Sequence, residues 1–155
     1  MMNQKNPVSI SHYSDIFEGL ACDDIYVLNE QNAITIWKNH VDQKATSFFK
    51  LPDEHWLVTG HQETLGHWLN DFNEDHSQRI QQLLNSTVDW NDEDIIFFSI
   101  SHLIILETSW KTFKNNWIYF LHCDDDCPIL VNSSYSKEAL VFRPIGDFIR
   151  INGNH

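Results

Sequence analysis

The chain has 155 residues and carries 22 Asp and Glu against 10 Lys and Arg, a formal net charge of -12. Hydrophobic residues make up 42% and aromatic residues 13%, which is too much apolar surface for a disordered acidic tail. A chain this acidic repels nucleic acid and anionic membranes and attracts basic surfaces, so we expect neither nucleic acid nor membrane as a partner. The length fits one ordinary domain spanning residues 1–155.

Three features predict a cytoplasmic protein. The N-terminus, MMNQKNP, is followed by no apolar stretch of the secretory type. The longest apolar run, residues 95–106, contains polar residues and is too short to span a bilayer. The three cysteines, Cys22, Cys123 and Cys127, are odd in number and irregularly spaced, which argues against a disulfide framework and favours reduced thiols.

The N-terminal half contains two predicted helices. A short strand is expected within residues 23–28, and Asn29 then has the character of a helix N-cap. Apolar residues recur at helical spacing after it: Ala33, Trp37 and Val41. For residues 53–76 a helix and a loop both stay open, because Gly60 and Gly66 weaken a continuous helix. Residues 77–84 form an amphipathic pattern that Ser77 is able to cap.

The C-terminal half reads as strands around one aromatic helix. Strands are predicted at 95–100 and 103–106, and Thr108 is a suitable N-cap for the next helix. Aromatic residues follow it in three- and four-residue steps: Trp110, Phe113, Trp117 and Phe120. Three short strands, 129–131, 139–142 and 148–151, then predict an antiparallel meander. The fold class is therefore α+β, with helices packed on one face of an antiparallel sheet.

Two groups of residues resemble metal sites without completing one. Cys123 and Cys127, preceded by His122, lack the spacing of a zinc knuckle, and the carboxylates between them lack the EF-hand pattern. Residues 51–100 hold ten acidic residues and one base, Arg79, and this acidic stretch contains four histidines: His55, His61, His67 and His76. On a helix, Glu63 and His67 would share one face. No HExxH motif is present. We expect no metal and no cofactor.

Catalytic signatures are also missing from the sequence. No nucleophile elbow, P-loop, GxGxxG motif or paired-carboxylate pattern occurs. Cys22 stands beside Asp23 and Asp24, which raise rather than lower the pKa of a thiol. His102 and Glu107 are candidates for an acid–base pair, although a hydrogen-bonded histidine at a strand end is the more common explanation. We expect the protein not to be an enzyme.

Two acidic loops are the best candidates for binding a partner. The predicted partner-binding residues are Asp89, Trp90, Asp92, Glu93, Asp94, Asp124, Asp125 and Asp126. Strand ends and helix ends often share one edge of an α+β layer, so we expect a single negative patch with Trp90 at its centre. Trp90 has two interpretations of equal weight: a core residue that pins its loop, or a surface aromatic that anchors a basic partner.

The C-terminal half resembles a family of small uncharacterised bacterial proteins. The resemblance covers about the last 70 residues and is carried by one pattern: Glu107, Thr108, Ser109, Trp110, Phe113, Trp117, Phe120, Leu121, Asp124 and Asp125. The acidic loop before the strand at Ile95 fits it too. The family has no established activity to transfer.

In size, acidity and lack of catalytic motifs the chain also resembles bacterial immunity proteins, which are cytoplasmic inhibitors of interbacterial toxins. That resemblance implies a cognate toxin with a basic surface, one that acts on nucleic acids or nucleotides. Two alternatives stay open: a housekeeping interaction module, and a small-ligand-binding protein or enzyme. The neighbouring gene would separate the first alternative from an immunity protein, and a bound metal or a pocket lined by His and Glu would favour the second.

Overall fold

The computed structural model describes residues 5–20, 23–72, 76–124 and 126–154. These residues form one sheet of eight strands in the order β1-β2-β5-β4-β6-β7-β8-β3, and each neighbouring pair is antiparallel. The strands are β1 (Lys5–Pro7), β2 (Tyr26–Leu28), β3 (His61–His67), β4 (Ile95–Ser99), β5 (Ile105–Ser109), β6 (Ile129–Asn132), β7 (Glu138–Phe142) and β8 (Asp147–Asn152). The helices are α1 (Glu30–His40), α2 (Trp56–Thr59), α3 (Ser77–Thr87) and α4 (Trp110–Cys123). Short 3-10 helices cover Val8–Ile10, Phe48–Lys50 and Leu69–Asp71.

The predicted α+β class, antiparallel sheet and C-terminal meander are confirmed. Strands β6, β7 and β8 follow one another in the chain and lie side by side in the sheet. Every residue of β6 and β7 is buried, which explains why, apart from Asn132 and Glu138 at their ends, their sequences are apolar without alternation. No helix in the described part of the chain is long and apolar enough to cross a membrane.

The helices lie on both faces of the sheet, where the sequence had suggested one. Phe98 and Leu140 face a core that contains residues of α3 and α4. Their chain neighbours Phe97 and Val141 face a second core, which contains residues of α1 and α2. Successive side chains of a strand point to opposite faces, so the fully apolar central strands require cover on both sides.

The three helices predicted from the sequence have their N-caps within one residue of the expected positions. Asn29 caps α1 as predicted, since its Oδ1 accepts from the backbone N of Asn32 at 2.8 Å. At α4 the cap is Ser109, whose Oγ accepts from the backbone N of Thr112 at 3.1 Å, while the predicted cap, Thr108, is buried in β5. Ser77 is the first residue of α3 and not its N-cap.

The stretch that gave no pattern, 53–76, contains α2, β3 and a 3-10 helix, and residues 73–75 lie outside the described part. Strand β3 is mostly exposed, and among the described strands it pairs only with β8, with an irregularity between Thr64 and Gly66. A Cβ at Gly66 would lie 2.8 Å from Cε1 of Phe148 and 2.9 Å from Cδ1 of Leu83, so glycine leaves room here for these two side chains. Because both residues belong to β3, Glu63 and His67 lie on a strand and not on one helix face.

The two ends of the sheet are named here after the first and last residues of β4. At its beginning, Ile96 pairs with Thr108 of β5 and Asn132 of β6. At its end, Ser99 pairs with Ile105 and Ile129. We call these the Ile95 end and the Ser99 end of the sheet.

Candidate partner-binding site

The two predicted acidic loops lie at opposite ends of the sheet, so the single patch expected from the sequence is wrong. Loop 89–94 leads into β4 at the Ile95 end, whereas Asp124 and Asp126 lead into β6 at the Ser99 end. Antiparallel neighbours begin at opposite ends. Helix α4 runs between the two loops and is about 20 Å long at ~1.5 Å per residue. Asp125 lies outside the described residues.

Trp90 is a core residue and not a surface anchor. Its side chain is 5% exposed, and its ring lies edge-on to Trp110 with the centroids 4.9 Å apart. Its Nε1 donates a hydrogen bond to Oε1 of Glu138 at 3.0 Å. Of the two interpretations of this tryptophan, the one that pins the loop is correct, and the prediction of Trp90 at the centre of a binding surface is wrong.

Two of the predicted binding carboxylates hold the loop in place. Asp92 Oδ1 accepts from Nζ of Lys114 at 2.8 Å; the lysine side chain is 8% exposed and that of Asp92 is 55% exposed. This hydrogen bond and the charge of the lysine keep the pKa of Asp92 below its usual range. Asp94 Oδ2 accepts from the backbone N of Asn91 at 3.0 Å and from Nδ2 of Asn132 at 2.9 Å.

A second acidic segment, which the sequence had not assigned to the site, meets this loop at the start of α4. Asp24 accepts from Oγ of Ser109 at 3.0 Å and from Oγ1 of Thr112 at 2.8 Å. The loop reaches the same turn through its backbone, because Asp92 O accepts from the N of Lys111 at 3.1 Å. Carboxylates are stabilised at a helix N-terminus by its dipole and unpaired N–H groups. The pairing of β2 with β5 brings Asp24 here, and no local sequence signal indicates that pairing.

We call Asp23, Asp24 and residues 89–94 together the acidic end. It contains six acidic side chains, and two lysines adjoin it, Lys111 and Lys114. Asp23, Asp89 and Glu93 are exposed, as is more than half of the Asp92 side chain. Asp23, Asp89 and Glu93 are available to a partner, and Asp92 keeps part of its carboxylate in water although it is paired with Lys114.

A polar groove lies beside the acidic end, between α3 and α4. Its volume is about 220 Å³, and it is lined by Gln81, Gln82, Asn85, Asp92, Lys111, Lys114 and Asn115. Lys114 Nζ also donates to Oδ1 of Asn85 at 2.8 Å, so the buried ammonium has two oxygen partners within the protein. Near this groove α4 departs from helical geometry at Asn116, with φ -133° and ψ 21°.

The cysteines of the described chain have raised pKa values. Burial, with a smaller contribution from Asp124, raises the pKa of Cys123 to about 12. Burial and Asp126 raise that of Cys127 to about 12 as well. Both are thiols near neutral pH and lack the low pKa of a nucleophile. Cys22 lies outside the described residues.

His102 and Glu107 do not form the acid–base pair that was considered from the sequence. Glu107 accepts from Nζ of Lys5, whereas His102 lies in the turn between β4 and β5 at the Ser99 end. His55 donates from Nε2 to the carbonyl of Val41 at 2.6 Å and accepts from the backbone N of Leu57 at 3.0 Å, which makes it the N-cap of α2. Among the residues described, no three His, Cys, Asp or Glu side chains form a group that would hold a metal ion.

Comparison with known proteins assigns the chain to a family without assigning it an activity. A family model described as "Protein of unknown function (DUF2947)" matches residues 14–149, so the chain belongs to this family. The match extends well beyond the C-terminal half in which the aromatic pattern lies. None of the curated proteins and none of the solved structures matches the chain.

Proposed function

We propose that this member of the DUF2947 family is an immunity protein that binds a cognate bacterial toxin in the cytoplasm and neutralises it without catalysis. The acidic end is the surface that covers a basic region of the toxin. The observation that carries the proposal is the set of exposed carboxylates, Asp23, Asp89, Asp92 and Glu93, gathered at one end of a chain of net charge -12.

Charge of this kind favours rapid association with a basic protein. Complementary potentials steer encounter and raise association rate constants, by about 10-fold to 10³-fold at low ionic strength. A toxin that acts on nucleic acids or nucleotides has a basic site, and carboxylates on loops are able to occupy the positions of phosphates. The hydrogen bonds of Asp24, Asp92 and Asp94 hold the acidic end in one conformation, which reduces the ordering cost on binding.

The test compares two matched pairs of charge reversals. Asp89→Lys with Glu93→Lys alters the acidic end, whereas Glu30→Lys with Asp126→Lys makes the same change in net charge with exposed residues at the Ser99 end. Each variant is co-expressed with the product of the neighbouring gene, and growth and association rate are measured. We expect the first pair to slow association at least ~10-fold at low salt and to abolish protection, and the second pair to retain protection.

Equal effects of the two pairs would contradict the assignment of the acidic end, and a neighbouring product that does not impair growth would contradict the toxin partner. In that second case the interaction-module alternative predicts that binding to the acidic end persists with a harmless partner. The small-ligand alternative rests on the α3–α4 groove. It predicts that a ligand shifts the NMR signals of Lys114 and Asn115, which line the groove.

A further inference from the structure

The two edges of the sheet differ in how they are protected. Edge strand β1 has three residues, of which one is Lys5 and another Pro7, and lysine, proline and short length all discourage a further strand. Edge strand β3 has seven residues and neither lysine nor proline. In the described part of the chain no strand lies beyond β3.

The sheet register shows which backbone groups of β3 point outward. Arg143 N donates to Asp147 O at 2.9 Å, and Gly153 N donates to Lys137 O at 2.8 Å. The odd-numbered residues of β8 therefore bond to β7, and Arg150 and Asn152 bond to β3. Arg150 pairs with Glu63, so the N–H and C=O groups of Gln62 and Thr64 point away from the sheet.

We propose that β3 accepts an extended, lysine- or arginine-bearing segment of another protein as an additional strand. Addition to an open edge uses main-chain hydrogen bonds for affinity and alternate side chains for specificity. Asp53, Glu54 and Glu63 are exposed, and residues 51–70 contain no Lys or Arg, so a basic segment meets complementary charge. A second copy of this chain would instead bring together two molecules of charge -12.

The experiment uses a short blocked peptide in which lysine and valine alternate. It is titrated into the isotope-labelled full chain, and backbone amide shifts are followed by NMR. We expect shifts centred on Gln62 and Thr64, a dissociation constant of about 1 mM or tighter, and slower hydrogen exchange of those two amides. A peptide with glutamate in place of lysine is expected to bind at least ~10-fold more weakly at low salt.

Thr64→Pro removes one outward N–H, which an edge strand tolerates, and is expected to abolish binding, while Thr64→Val keeps the N–H and is expected to bind. Glu63→Lys provides a second measurement should the proline variant not fold, and it should reduce the preference for the lysine peptide over the glutamate peptide. Shifts located elsewhere, absence of binding, equal binding of both peptides, or self-association through β3 would overturn the proposal. The experiment contains no toxin, so its result is independent of the proposed function.

Discussion

At the scale of single residues, Trp90 connects the acidic loop to the core. Its ring packs against Trp110 and its N–H reaches the nearly buried carboxylate of Glu138. We expect Trp90→Ala to lower the free energy of unfolding by about 3–5 kcal/mol, the usual cost of deleting a buried large aromatic side chain. Trp90→Phe keeps most of the packing and leaves Glu138 without this donor, at a cost of about 1–3 kcal/mol. Urea denaturation measures both, and unchanged stability of the alanine variant would contradict the core role.

The ion pair between Lys114 and Asp92 is asymmetric in exposure. Asp92→Ala leaves a buried ammonium without its carboxylate, whereas Lys114→Met leaves a carboxylate that is already largely in water. Uncompensated buried charge is the costly case, so we expect Asp92→Ala to lower the urea midpoint more than Lys114→Met does. The double variant should regain part of the loss. The reverse order for the two single variants would show that the ammonium reaches solvent once the pair is broken.

Asp71 makes the protein sensitive to acid. Its carboxylate is nearly buried and accepts two hydrogen bonds from Arg79, at 3.0 and 2.7 Å, which lower its pKa. In the unfolded chain the pKa of an Asp carboxyl group is about 3.9. Because the pKa of Asp71 is lower than this in the folded protein, the ionised carboxylate stabilises the fold above about pH 4. That contribution is lost as the pH falls through the pKa of the folded state.

Asp71→Asn removes this titration. We therefore expect the melting temperature of Asp71→Asn to fall less steeply than that of the wild type as the pH is lowered below about 4. The exposed Asp53→Asn serves as the control. Identical slopes for wild type and Asp71→Asn in a thermal melt series would refute the assignment.

At the scale of elements, the N-cap of α1 provides a test of local stability. Asn29→Ala removes the side-chain acceptor for the backbone N of Asn32 and should reduce the free energy of unfolding by about 0.5–2 kcal/mol. Asn29→Asp retains an acceptor at the same position and should remain close to wild type. Chemical denaturation distinguishes the two. Equal losses in both variants would mean that other contacts of Asn29, and not the cap, dominate.

The central elements were predictable from the sequence because each carries its own signal. The apolar runs of β4, β6 and β7 and the aromatic spacing of α4 reflect deep burial. Edge strands lack that signal: β3 has one large apolar residue, Leu65, and acquires its structure from β8. The site was only partly predictable. The exposure of Asp89 and Glu93 agrees with an acidic surface, but Trp90 and the separation of the loops depend on strand order, which no single segment encodes.

At the scale of the whole molecule, the net charge of -12 opposes compaction through self-repulsion. We expect the melting temperature at neutral pH to rise as sodium chloride increases from about 0.01 to about 0.15 M, because the screening length falls from ~30 to ~8 Å. Near the sequence pI of about 4.9 the same salt series should have little effect. A melting temperature that falls with salt at neutral pH would indicate that attractive ion pairs outweigh the repulsion.

The pairing of β3 with β8 also sets the time at which the sheet is completed during synthesis. His67 and its partner Asp147 are 80 residues apart in the chain. At ~5–20 residues per second, β3 leaves the ribosome roughly 4 to 16 s before the segment that completes it. During that interval the strand has neither its neighbour β8 nor the core residue Phe148, so nascent chains halted before residue 147 should be cleaved by protease within 61–67 and become resistant once β8 has emerged.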